Sequence, residues 1–306
     1  MASLVVLGPT ASGKSDVAMA VAVRASGGRR FEIVAVDAMQ VYRGMDIGTA
    51  KPTAADRAAV PHHCLDLVEP DHDFTVAEFA GIARSAITDI EERGATPLIV
   101  GGTGLYLRSV TDPMEIPGTW PDVRARLEAR LGAEPPELLH AELAAIDPAA
   151  AAKIEPGNAR RTVRALEVCL GSGRRFSSFG PGIDSYPLVA FLQVGLLWPR
   201  DVLAKRIEER VHRMIASGLV DEVARLISAH RLSRTAMQAL GYKEIVEHLE
   251  GSTSLDQATE QIVVRTRQFA VRQLRWFRRD PRVQWVSIED DPVAEAVPVI
   301  EELLAR

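Results

Sequence analysis

The chain has 306 residues, 47% hydrophobic and 25% charged, with a formal net charge of −5. That length carries one large or two modest domains with real cores, and the acidic balance argues against a protein that coats nucleic acid without specificity. No apolar run reaches the roughly 20 residues of a membrane span, and the first is too short for a signal-peptide core. The two cysteines, Cys64 and Cys169, lack metal-ligand spacing, so no membrane association and a reducing, cytoplasmic setting are expected.

Leu4-Val5-Val6-Leu7 is a continuous apolar run, the pattern of a central parallel strand covered on both faces. A glycine-rich loop follows, then a helix from Lys14 with Val17, Ala18, Val21 and Ala22 on one stripe. A second strand, Ile33 to Val36, ends in Asp37. Thr75-Val76-Ala77-Glu78 is a capping-box signature for a helix to about Arg93, with Gly94 as its stop. A third strand, Pro97 to Val100, ends in Gly101-Gly102-Thr103. This alternation predicts an α/β fold with a doubly wound parallel sheet. Between Pro117 and Pro187 the sequence reads as short helical segments broken by Pro and Gly, closing in a loop-like stretch from Gly171. Residues 118–185 are therefore expected to form a helical insertion in a core made of 1–117 and 186–306. Strand character returns at Val194 to Trp198. Helices are expected from Asp201 to Ile227 with a break at Gly218, from Leu255 to Arg278, and from Pro298 to Leu304, with a short strand at Val283 to Val286. Nothing in the pattern suggests an oligomer interface, and a monomer is expected.

Gly8-Pro9-Thr10-Ala11-Ser12-Gly13-Lys14-Ser15 matches G-x-x-x-x-G-K-[ST], between a strand and a helix as that motif requires. Glycines let successive N–H groups curl around a phosphate, the helix start adds positive potential, and Lys14 adds a point charge. Ser15 offers a hydroxyl to Mg²⁺. The motif points to a di- or triphosphate without specifying ATP. A nucleotidase would need a further acidic strand end for its metal; the third strand offers only Gly101-Gly102-Thr103. Asp37 stands alone at the carboxyl edge, the usual ligand crevice of such sheets. It is placed well for general-base work or for gripping an acceptor; the alternative is an aspartate that caps a helix or turn.

Further segments resemble one family. Asp37-Ala38-Met39-Gln40-Val41-Tyr42-Arg43-Gly44 through Lys51-Pro52, Pro61-His62-His63, Val100-Gly101-Gly102-Thr103-Gly104-Leu105-Tyr106, Arg164-Ala165-Leu166-Glu167-Val168, Gln238-Ala239-Leu240-Gly241-Tyr242-Lys243-Glu244 and Thr266 to Phe277 are similar, in order, to blocks of the tRNA dimethylallyltransferases. The likeness covers nearly the whole chain. It departs at Ala38, Phe269 and Gly104, where serine, tyrosine and a larger residue are usual. The resemblance implies that Gly8 to Ser15 holds the diphosphate of dimethylallyl diphosphate, with Mg²⁺ near Ser15. It implies that Asp37 accepts a proton from the exocyclic amine of the adenosine 3′ of the anticodon, and that Thr103 positions that amine or the diphosphate. It further implies that Asp37, Ala38, Met39 and Gln40 line the adenine pocket. Arg124, the run Arg160, Arg161, Thr162, Val163 and Arg164, and the run Gln238, Ala239, Leu240, Gly241, Tyr242 and Lys243 would contact tRNA.

The chemistry fits such a transfer. Charge develops on the leaving diphosphate, which oriented N–H groups, a lysine and a metal stabilise, and the target base must be extruded into a pocket. Arg206 and Arg210 lie on the helix after Asp201, placed either to reach the diphosphate or to form a solvated face beside Glu208 and Glu209. On the terminal helix Arg265, Arg272, Arg275 and Arg279 share one side, with Val263, Ala270, Leu274 and Phe277 opposite and Phe269 and Trp276 at the border. Few acids balance that stripe, which favours RNA contact over a solvated face. A second basic cluster, Arg160, Arg161 and Arg164, sits on a helix expected to bury Val163, Leu166 and Leu170. His62 and His63 read as structural or phosphate-contact residues, and Trp120, Trp198 and Trp285 as packing anchors. Competing readings are a small-molecule or nucleotide kinase, a prenyltransferase acting on free adenine nucleotides, and a non-catalytic P-loop switch that binds RNA.

Overall fold

Strands that are apolar along their whole length need cover on both faces, and the chain supplies it with helices between successive strands. The structure, a computed structural model, describes residues 3–180, 182–183 and 185–306. It divides into two compact units, Met1–Thr111 with Leu188–Arg306, and Asp112–Pro187. The first begins β1 (Ser3–Leu7), α1 (Lys14–Val23), β2 (Phe31–Val36), α2 (Ala54–Ala59), β3 (His62–His63), α3 (Val76–Glu92), β4 (Thr96–Gly101) and α4 (Gly104–Thr111). The second contains α5 (Pro121–Leu131), α6 (Pro136–Ile146), α7 (Pro148–Ala151) and α8 (Ala159–Ser172). The first unit then resumes with β5 (Phe191–Leu197), α9 (Arg200–Ala216), α10 (Leu219–Ala229), α11 (Tyr242–Leu249), α12 (Leu255–Phe277), β6 (Val283–Ser287) and α13 (Pro292–Ala305).

Among the described residues six strands form one sheet in the order β3-β2-β4-β1-β5-β6, with every pairing parallel. Alternate residues of β1 serve opposite faces. Val5 and Leu7 join a core with Phe79, Ile90, Leu219 and Ile262. Leu4 and Val6 join another with Val17, Val21, Ile207 and Ile300. Register decides where chemistry can gather: Leu7 and Val36 both pair with Gly101. The segments beginning at Gly8, Asp37 and Gly102 therefore leave the sheet side by side at its carboxyl edge.

The strand and helix expectations hold with small changes of boundary, and the Thr75–Glu78 capping box forms as expected. Gly218 breaks α9 from α10 with φ 96°, a left-handed value natural to glycine. The last helix is the main correction. It starts at Pro292 rather than Pro298, because Asp291 caps it by accepting from the N–H groups of Val293 and Ala294. Pro298 lies inside that helix. Two short elements, α2 and β3, and the helices α4 and α11 were not foreseen. The second unit has its own small core around Leu127, Leu139, Leu143 and Leu166. Leu170, expected to face inward there, is 48% exposed. Pro181 and Asp184, in the expected loop, lie outside the described residues.

Gly104 opens α4 where Trp276 of α12 packs against it; a Cβ there would lie 2.2 Å from the indole. Gly104→Ala is expected to cost about 1–3 kcal/mol, the usual range for overpacking. The check is a lower urea midpoint at unchanged m-value. An unchanged midpoint would mean that Trp276 swings aside freely.

Candidate functional site

The loop between β1 and α1 turns through two left-handed residues, Ala11 at φ 63° and Gly13 at φ 84°. Such alternation aims successive N–H groups at one point, an anion-binding nest. Its outside is held by three distant side chains. Trp198 donates its indole N–H to the Ser12 carbonyl at 2.9 Å. Arg206 stacks on Trp198 and donates Nε to the Ala11 carbonyl at 3.1 Å. Gln273 of α12 accepts from the Thr10 N–H at 2.9 Å and donates to the Gly102 carbonyl at 2.8 Å. One amide thus ties the loop to the end of β4, using a donor and an acceptor at once. The glycine pair is required by space: a Cβ on Gly101 would meet the Val36 carbonyl at 2.6 Å, and one on Gly102 the Gln273 amide at 2.6 Å.

Asp37 follows β2 and is half-buried. Its Oδ1 accepts from the N–H groups of Met39 at 2.8 Å and Gln40 at 3.4 Å. The turn-capping role weighed from sequence is therefore real, and it fixes the carboxylate while leaving Oδ2 for another proton donor. Two cavities meet at this residue. A cleft of about 1020 Å³ holds Lys14, Ser15, Asp37, Gln40 and Arg210. A smaller one, about 470 Å³, is lined by Asp37, Ala38, Met39, Thr103 and a largely apolar wall including Ile207, Val211 and Leu219. Thr10, Asp37, Arg210 and Phe269 belong to both.

Charge is concentrated at the junction. Burial, then the neighbouring Arg210, lower the Lys14 ammonium to about 8 from an ordinary 10.5, against the opposing pull of Asp37 and Asp16. Lys14 and Arg210 are crowded together, and the Lys14 ammonium stays lowered despite Asp37 and Asp16, as expected of a site suited to an added anion. Of the two α9 arginines weighed for the diphosphate, Arg206 braces the loop at the edge of the larger cleft, whereas Arg210 lines both cavities. Ser15 is exposed in the first turn of α1 and lines the larger cleft.

Several residues assigned to tRNA contact sit elsewhere. Tyr242 is fully buried, with its hydroxyl donated to Glu222 at 2.6 Å. Gln238, Ala239, Leu240, Gly241 and Lys243 do line the smaller cavity. In the second unit Thr162 and Val163 are buried at 0% and 2% exposure, because the inner face of α8 forms that unit's core. Their side chains cannot reach RNA from there. Arg160 and Arg161 stand exposed. Arg164 and Arg124 both turn onto Glu167, a carboxylate with no solvent exposure, at 3.0 and 3.6 Å. Trp120 donates its backbone N–H to the same carboxylate. On α12, Arg265 pairs with the buried Glu244 of α11, so its charge is balanced from another helix; Arg272 and Arg275 remain exposed. His62 bonds the Val60 carbonyl and His63 bonds Glu32. Gln273 and Glu222 were not singled out from sequence. Their only signal is an uncharged amide or an acid on a helix, and nothing in the chain order shows what it meets.

The fold and this site define a parallel α/β protein with a phosphate-type loop opening onto a cleft that meets a second, smaller cavity at Asp37. The IPP transferase family model matches residues 40–280, and the chain belongs to that family. It is 50% identical to a protein of Kineococcus radiotolerans named tRNA dimethylallyltransferase, over 97% of this chain and 95% of that one. It is 45% identical to one of the same name from Pelotomaculum thermopropionicum, over 96% and 93%. Among solved structures it resembles a tRNA isopentenylpyrophosphate transferase of Bacillus halodurans, with TM-score 0.70, 38% identity and coverage of 100% and 96%. It also resembles a eukaryotic dimethylallyltransferase acting on tRNA, with TM-score 0.80, 25% identity and coverage of 97% and 77%. Among the described residues no helix is long and apolar enough to cross a membrane.

Proposed function

We propose that the protein transfers the dimethylallyl group of dimethylallyl diphosphate to the N6 amine of the adenosine 3′ of the tRNA anticodon, releasing diphosphate. The observation that carries this reading is the meeting of the two cavities at Thr10, Asp37 and Arg210. A donor held by its diphosphate in the Gly8 to Ser15 loop has its reactive carbon beside the carboxylate that faces an entering amine. The nitrogen lone pair forms the new C–N bond as the C–O bond breaks, its electrons passing to the diphosphate oxygen. The loop N–H groups and Lys14 stabilise that charge. Asp37 Oδ2 takes the proton that the alkylated nitrogen sheds. Thr103, which lines the smaller cavity with Asp37, orients the amine in this reading. The apolar wall around Ile207 and Val211 suits a five-carbon hydrocarbon and excludes water.

Mg²⁺ fits this donor set as an ion that arrives with the substrate. Among the described residues no three His, Cys, Asp or Glu side chains gather to hold a metal. Ser15 would supply one oxygen, with diphosphate oxygens and water completing the shell, as Mg²⁺ favours. An ion held there would supply positive charge beside the leaving diphosphate. The end of β4 in Gly101-Gly102, with no carboxylate, tells against a kinase. Exposed Arg160, Arg161, Arg272 and Arg275 suit a polyanionic acceptor better than a free nucleotide. These contacts, a cytoplasmic setting and a monomeric state complete the reading.

The test is to incubate the protein with unmodified tRNA, Mg²⁺ and dimethylallyl diphosphate, then digest and weigh the nucleosides. An adenosine heavier by one C5H8 unit is expected, with no turnover of ATP in a parallel tube. ATP turnover without that nucleoside would reject the reading.

A further inference from the structure

The segment Asp46 to Lys51 forms part of the wall of the larger cleft, and it is pinned from both ends by groups to which the transfer assigns no role. At its start is Glu222 of α10, 3% exposed. This carboxylate accepts from the backbone N–H groups of Asp46 at 3.0 Å, Ile47 at 2.8 Å and Gly48 at 3.2 Å, and from the Tyr242 hydroxyl at 2.6 Å. Four donors satisfy one buried carboxylate, which is the condition for keeping such a charge inside a protein. The phenol ring also packs on the segment itself; a Cβ on Gly48 would lie 2.4 Å from it. At the far end the buried Lys51 ammonium bonds the Tyr42 carbonyl, Asp46 and Asp66.

Held between these pins, the carbonyls of Thr49 and Ala50 both point at one side chain. Gln40 Nε2 donates to them at 3.0 and 3.3 Å. An amide nitrogen has two hydrogens, so this pairing uses both. A flipped amide would set its oxygen against two carbonyl oxygens. The oxygen of Gln40 is therefore its available group, and Gln40 lines the cleft with Asp37, whose Oδ1 its own N–H approaches at 3.4 Å. Two acceptors, Asp37 Oδ2 and Gln40 Oε1, stand on adjacent parts of one turn. An exocyclic amine offers two hydrogens to such a pair; an oxo group offers only lone pairs and is repelled.

We propose that Glu222 and Tyr242 are positioning residues that, through the Asp46–Lys51 segment, lock the Gln40 amide with its oxygen toward the substrate. They thereby make the site prefer a 6-amino to a 6-oxo purine. The inference rests on the adenosine-transfer reading above, and it makes Tyr242 a support behind the wall of the larger cleft rather than part of the RNA surface.

The experiment measures binding of two anticodon stem-loops, with adenosine or inosine at the target position, to the wild type, Glu222→Gln and Tyr242→Phe. Inorganic diphosphate affinity is measured beside them, since no residue of the Gly8 to Ser15 loop bonds this segment. Wild type should bind the adenosine form more tightly. Glu222→Gln, which trades one acceptor oxygen for a donor, should shrink that ratio about tenfold, and Tyr242→Phe a few-fold, in line with lost hydrogen bonds to a charged group. Diphosphate affinity should stay unchanged. General damage to the fold would weaken both stem-loops and diphosphate together. Should Glu222→Gln fail to bind diphosphate, Tyr242→Phe decides, because it keeps the ring that packs on Gly48. Wild-type ratios in the folded variants, or a wild type without preference, would overturn the inference. Absence of transfer by the wild type would instead reject the reading on which it rests.

Discussion

Asp37→Asn should lower kcat by about 10²–10⁴-fold, the range for loss of a positioned general base, while KM for tRNA changes no more than a few-fold. Asparagine is the informative replacement because of what Oδ1 does. That oxygen accepts from the Met39 and Gln40 N–H groups, and the asparagine oxygen can do the same, so the turn survives. What disappears is the second carboxylate oxygen as a proton acceptor. Asp37→Ala removes the turn as well, and should add a loss in tRNA affinity to the loss in rate. A fall in kcat alone in the asparagine variant, measured under saturating tRNA, assigns the effect to the reacting state. Wild-type turnover in Asp37→Asn would end the general-base role and leave the residue as a turn cap.

Much of the frame was legible in the sequence because it rests on local patterns. Leu4 to Leu7 before Gly8-Pro9, Ile33 to Val36 before Asp37, and Leu98 to Val100 before Gly101-Gly102 each carry the mark of a buried parallel strand. Once three such strands are parallel and in register, their carboxyl ends must lie together, so Asp37 and the phosphate loop were bound to be neighbours. What could not be read depends on contacts between distant segments. Glu222 meets Asp46 across 176 residues and Gln273 meets Thr10 across 263; in the sequence each is one more polar residue on a helix. Charge counting failed for the same reason. Arg265 looked unbalanced because its partner, Glu244, lies on another helix. Thr162 and Val163 entered the tRNA-contact set because the family resemblance implied the whole run from Arg160 to Arg164, although helical periodicity already turned Val163 inward; both are buried. Asp291-Pro292 was a usable cap signal, overlooked in favour of the proline six residues later.

The pH dependence of donor binding should carry the signature of Lys14. Its folded-state value of about 8 lies below the ordinary 10.5, chiefly through burial and then through Arg210. For a lysine a lowered value means that the unfolded chain holds the proton more tightly. This group therefore works against the fold at neutral pH, and stability gains as pH rises from about 8 toward 10.5. Binding runs the other way. A diphosphate beside the ammonium favours the charged form and raises its pKa, so binding above pH 8 must draw in a proton. Affinity for dimethylallyl diphosphate should be level below that pH and then fall, by up to about tenfold per unit, until the pKa of the complex is reached. Lys14→Arg, which stays charged throughout, should flatten that fall, and comparison of the two cancels the titration of the ligand itself. Lys14→Ala should weaken binding and lower kcat together, by about 10²–10³ in rate, the scale for loss of one stabiliser of developing negative charge. Parallel pH profiles for wild type and Lys14→Arg, followed by calorimetry, would show that the lysine keeps its proton throughout. The crowding of Lys14 and Arg210 would then be relieved by the Asp37 carboxylate. In that case Asp37→Asn, which removes the carboxylate charge, should restore a pH-dependent fall in affinity.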